Sequence, residues 1–163
     1  MHILTRVLPA VIALLGILWA SDQFADSLDK RNPHSDPKRA VWADENVPDG
    51  VRAILARSCS DCHSNVVRWP YISRLPLVAG IFEEDVARAR KQMNLSEWTM
   101  ALQGNPEEFD GMLNGICEET KLKNMPPMRY VVMHPGSRIA TRDSEILCQW
   151  VTSATNVRIK KGS

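Results

Sequence analysis

Cys59-Ser60-Asp61-Cys62-His63 sets two thiols three positions apart and an imidazole directly after the second. This is C-x-x-C-H, the spacing of covalent haem attachment. Thiols so placed reach the two vinyl groups along one porphyrin edge, and the next residue then presents its imidazole beneath the iron as the proximal ligand. With only four Cys and four His in 163 residues, the pattern is rare by chance and therefore specific. A zinc site would need two further ligands at matching spacing, whereas Cys117 and Cys148 are single and far apart. A redox-active C-x-x-C pair belongs in a βαβ setting, and no alternating strand pattern surrounds this one. The expectation is one covalently attached haem c, held by Cys59 and Cys62 with His63 on the iron.

The iron's other face needs a separate donor. Candidates are Met125, Met128, Met133, His134, His34 and His2. Met125-Pro126-Pro127-Met128 is the informative stretch, because proline fixes the backbone and a thioether beside it is held still. Methionine ligation raises a haem's potential and closes it to small ligands. Met125 is preferred, with Met128, His134 or an open site as alternatives. Arg68 is the best candidate for a haem propionate, since guanidinium forks match carboxylates.

These groups need elements to position them. Val51, Ile54, Leu55 and Cys59 follow one helical stripe that continues to Cys62, with Pro48 and Asp49 as start signals. Leu75 to Met93 reads as a helix with Leu77, Val78, Ile81, Val86 and Ala89 inward, and with Arg88, Arg90 and Lys91 suiting its C-terminal dipole. Ser96 starts a short turn carrying Trp98. Asn105-Pro106-Glu107-Glu108 is a helix start, and that helix runs to about Leu122, burying Phe109, Met112, Leu113 and Ile116. Thr141 or Asp143 begins the last helix, with Ile146, Leu147, Trp150 and Val151 on one face. The class is all-α: a small cytochrome c-like helical haem domain with an N-terminal signal or anchor helix. Trp69, Trp98 and Trp150 are candidate haem neighbours, in a chain with only ten aromatic residues (five Trp, three Phe, two Tyr).

Cys117 and Cys148 fall on the third and last of these helices. In an oxidising compartment they favour a disulfide, worth about 3.5 kcal/mol by loop entropy. The compartment follows from the N-terminus. A short basic start precedes an apolar run from Val7 to Ala20, long enough for a signal-peptide core, and without a clear cleavage site it reads as an uncleaved anchor. Residues 1–20 are thus a signal peptide or membrane anchor, 21–48 a polar tether, 49–155 the haem c domain and 156–163 a basic tail. The net charge of +1 lacks the positive field that nucleic-acid binding requires. Residues 52–74 are locally basic (Arg52, Arg57, Arg68, Arg74 against Asp61), which fits a solvated surface, a propionate contact or a rim that docks a redox partner.

From about residue 50 to 152 the chain resembles the bacterial haem-binding-domain family of membrane-tethered, single-haem c-type cytochromes. The stretches that carry the resemblance are Cys59-Ser60-Asp61-Cys62-His63-Ser64-Asn65, Arg68-Trp69-Pro70, Asn94-Leu95-Ser96-Glu97-Trp98, Met125-Pro126, Tyr130, His134-Pro135 and Trp150, with Asn32-Pro33 after the apolar run. The stretch after Trp69-Pro70 departs from the family pattern, with only Tyr71-Ile72-Ser73. The resemblance implies a helical haem domain outside the membrane, with Trp69 and Tyr130 near the cofactor, in the periplasmic or extracytoplasmic space. The function expected is electron carriage to an unidentified redox partner rather than catalysis. A haem enzyme or ligand sensor with an open distal site, and an accessory haem subunit of a membrane complex, are the alternatives.

Overall fold

The computed structural model describes residues 8–20 and 32–162 of the chain. His2, the basic start and residues 21–31 of the expected tether lie outside the described residues. Residues 8–20 form helix α1, whose large apolar side chains, Leu8 through Trp19, are exposed. Among the described residues no helix is long and apolar enough to cross a membrane.

Seven further helices follow: α2 (Asp49–Ser58), α3 (Ser60–His63), α4 (Pro76–Gln92), α5 (Trp98–Gln103), α6 (Pro106–Lys121), α7 (Met128–Met133) and α8 (Thr141–Gly162). Short 3-10 turns join them, and no strand occurs among the described residues, so the fold is all-α. The helix starts have local causes. At α6, Asn105 caps by accepting the Glu107 N–H at 2.9 Å, and Pro106 takes the first position, where no N–H is needed. At α8, Asp143 reaches back to accept the Ala140 N–H at 3.0 Å. Pro76 opens α4, and Arg90 and Lys91 close it where the dipole favours cations.

The main core gathers α2, α5, α6 and α8. Leu55, Leu95, Leu113 and Leu147 are fully buried, each contributing roughly 1.5–3 kcal/mol of transfer free energy. Trp98 lies edge-on to Phe109 at 5.1 Å and stacked with Trp150 at 5.9 Å. A disulfide joins Cys117 of α6 to Cys148 of α8 across these helices.

Four sequence expectations need correction. Residues 32–48 are not a free tether. Val41 and Val47 sit in the main core, and the Trp98 indole donates to Asp44 at 2.8 Å. Val41 opens the 3-10 turn Val41–Ala43 and Val47 sits on the bend that follows it, so these isolated apolar residues carry no helical period. Residues 156–162 are not a separate tail, because α8 continues through them. The stripe through Cys59 and Cys62 is not one helix: Cys59 caps α2 at φ −120° and a new turn, α3, starts behind it. Finally, α4 buries Ala79, Val86 and Ala89 while Ile81 is 57% exposed.

Candidate haem site

Cys59 stands at the joint of α2 and α3, and Cys62 and His63 complete α3. The joint turns the motif away from the axis of α2 while Cys59 still packs on the main core. Cys59 and Cys62 are free thiols, in contrast to the Cys117–Cys148 pair. Burial pushes Cys59 up to about 12, with Cys62 adding to it, and pushes Cys62 up to about 11, with Asp61 and Asp85 adding to it. At neutral pH both are therefore protonated thiols rather than reactive thiolates.

His63 is held by its ring. Nδ1 lies 3.2 Å from the Met93 carbonyl at the end of α4. A carbonyl only accepts, so Nδ1 carries the proton and Nε2 keeps its lone pair for a metal. Burial lowers the imidazole's pKa, opposed by the backbone hydrogen bonds, and a neutral ring is the ligating form. The loop behind His63 is tied down by polar contacts. Arg90 donates to the Ser64 carbonyl at 2.7 Å, Asn94 to the Asn65 side chain at 2.8 Å, and the Asn65 N–H to the Ser96 hydroxyl at 3.0 Å. Asn32 reads the same loop, donating to the Val67 carbonyl and accepting from the Val67 N–H and from Arg90.

Asp61, inside the motif, is buried. One carboxylate oxygen accepts Arg68 Nε at 3.1 Å and the other accepts the Tyr130 hydroxyl at 2.6 Å. Arg68, expected at a propionate, thus meets the motif's own acid, with its side chain otherwise 75% exposed. Tyr130, also expected near the cofactor, donates its hydroxyl to Asp61. Burial and the bond to Asp61 hold its phenol well above the usual range, so it is a permanent donor. Nearby, Arg129 pairs with Asp85 of α4 at 2.6 Å. Two contacts therefore fasten α7, one to α3 and one to α4.

The candidate second ligands are spread along this strand of chain. Met125 is half-buried, its N–H donating to the Glu119 carbonyl at the end of α6. Met128 opens α7 and is 66% exposed, and Met133 at its end is also exposed. The His134 ring stacks on Tyr130 at 4.3 Å, and its Nδ1 is 3.3 Å from the Tyr130 carbonyl. His34 is exposed, and its carbonyl accepts from Asn65. Trp69 is half-buried beside Arg68 in the chain. Within the basic run, Arg52 pairs with Asp49, Arg57 with Asp143 and Arg68 with Asp61.

These residues fit a porphyrin. The two free thiols and the imidazole lie on one short turn, and the imidazole tautomer leaves Nε2 available. Large apolar side chains stand exposed on the segments around them: Val66 after the motif, Ile72 and Leu75 before α4, Ile81 on α4 and Val132 on α7. Among the described residues no group of three His, Cys, Asp or Glu could hold a bare metal ion. Sequence spacing located the motif but missed Asp61, Asp85, Arg129, Arg90 and the Met93 carbonyl. Asp61 carried a signal, an acid between two thiols, but its partners lie 7 and 69 residues away.

An all-helical domain built around this turn defines a haem-binding protein. The haem-binding domain family matches residues 17–153, and the chain belongs to that family. It is also similar to the cytochrome c peroxidase Ccp of Escherichia coli (strain K12), at 22% identity over 140 residues. The match covers 86% of this chain, which spans only 28% of that relative's length. No solved structure matches.

Proposed function

We propose that the protein is a single-haem c-type cytochrome that carries one electron at a time outside the cytoplasm. Cys59 and Cys62 hold the haem through thioether bonds, and His63 and Met125 hold its iron. The observation that carries this reading is the α3 turn: two free thiols beside an imidazole whose Nδ1 proton is committed to the Met93 carbonyl. When bound, the haem supplies an iron that accepts and returns one electron. The chain's own residues fix the imidazole's tautomer and orientation, cover the porphyrin with apolar side chains and keep its surroundings rigid. Rigid ligation suits electron transfer, because little rearranges between the two oxidation states.

The Cys117–Cys148 disulfide supports an oxidising compartment, and the apolar residues 7–20 support delivery to, and attachment at, the outer face of the cytoplasmic membrane. The redox partner is then a protein at that face. The similarity to a cytochrome c peroxidase supports a second reading, a haem enzyme with an open distal side, for which His134 beside Tyr130 is the available acid–base group. Optical spectroscopy of the ferric holoprotein separates the two. A low-spin spectrum with the near-infrared methionine–iron band, lost in Met125→Ala, is expected of the carrier. High-spin iron that binds cyanide and carbon monoxide rapidly in the unmutated protein would establish the enzyme reading instead.

A further inference from the structure

We propose that Asp61 and Tyr130 form a clasp that fastens the Met125–Met128 segment to the haem-attachment turn, making Tyr130 a positioning residue for the iron's distal ligand. The inference rests on the reading of the α3 turn as the haem site and assigns Tyr130 a role in it. Three observations carry it. Asp61 is buried at the centre of the attachment motif, directly before Cys62, so whatever binds its carboxylate is fixed relative to the proximal side. The Tyr130 hydroxyl binds that carboxylate at 2.6 Å from α7, the helix that begins at Met128 and follows Met125 by a Pro-Pro step. The opposite end of the segment is tied independently, because the Met125 N–H bonds the Glu119 carbonyl of α6.

The segment is therefore pinned at both ends, once to the main core and once to the motif itself. Arg68 completes the arrangement by neutralising Asp61 from the outer side, and Arg129 on Asp85 reinforces α7 against α4. A thioether on a segment with one free end would exchange with external ligands. Pinning both ends closes that route. Hydrogen bonds to charged groups of this kind are worth about tenfold or more in an equilibrium.

The test uses the ferric holoprotein and cyanide as the probe. Tyr130→Phe keeps the ring stacked on His134 and removes only the hydroxyl. The expected result is an unchanged haem content per chain, a weakened methionine–iron band and cyanide binding about tenfold faster than in the unmutated protein. Thr120→Val is the control, because it removes a buried hydroxyl that bonds Ile116 and Ser144 between α6 and α8. It should lower thermal stability and leave the cyanide rate unchanged. Equal cyanide rates for Tyr130→Phe and the unmutated protein, or an equal rise in Thr120→Val, would overturn the clasp. An unmutated protein without the methionine–iron band would overturn Met125 as ligand and with it the positioning role of Tyr130, whereas a band present with equal cyanide rates would overturn the clasp alone.

Discussion

The two halves of this domain are held together by different forces. The α2–α5–α6–α8 half is dry: Leu55, Leu113, Leu147 and Trp98 are fully enclosed, three aromatic rings interlock, and a disulfide crosses it. The α3–α4–α7 half is knit by directed polar contacts, Asp61 with Arg68 and Tyr130, Asp85 with Arg129, and Ser64 with Arg90. Val86 and Val131 are buried in it, but Ile72, Leu75, Ile81 and Val132 are exposed. The difference separates two tasks. Burial is non-directional and stabilises; hydrogen bonds are directional and fix positions, as a cofactor's ligands require. Trp98, Phe109 and Trp150 form the ring cluster of the dry half, while Phe82 and Tyr130 stand on α4 and α7 of the other.

If the division is real, the halves respond separately. The largest effect should come from removing the disulfide. The double variant Cys117→Ser, Cys148→Ser should lose about 3.5 kcal/mol of unfolding free energy in a urea titration, because the bridge spans 31 residues. Its haem absorption spectrum should stay unchanged while folded. A spectrum altered at urea concentrations below the unfolding transition would break the division.

A smaller effect should follow from acid. Asp44 joins the Asn32–Val47 segment to the dry half; burial alone would raise its pKa, but the Asn46 and Trp98 donors outweigh it and the net shift is downward. A carboxylate lowered on folding adds stability above its ordinary value and loses it as pH falls through the lower folded value. Asp44→Asn should therefore be less stable than the unmutated protein at pH 6, with the gap narrowing by pH 3. Urea midpoints at the two pH values check this, and a gap independent of pH would show that Asp44 does not titrate with folding.

The dry half was largely readable in the sequence, because helical periods and caps are local. Asn105-Pro106, the Phe109–Ile116 stripe and the Leu147–Trp150 face all announce themselves within a few residues. The site was readable only where its chemistry is local. The C-x-x-C-H turn is five consecutive residues, but apart from Arg68 with Asp61 the polar contacts that position it pair residues 26 to 69 positions apart, as in Arg90 with Ser64 and Tyr130 with Asp61. Spacing carries no record of such pairs. Val41 and Val47 were missed for a related reason: single apolar residues on a 3-10 turn and on a bend have no period to detect. The α4 pattern misled because Ile81 fits the helical stripe yet is exposed, and spacing alone does not say which face of the helix meets the core.

The central claim is that Cys59 and Cys62 bind haem covalently. Intact-protein mass spectrometry after acid–acetone extraction tests it most directly. The chain should retain the added mass of one haem through extraction, and Cys59→Ala, Cys62→Ala should release it. A chain of unmodified mass, with all haem in the extract, would contradict it.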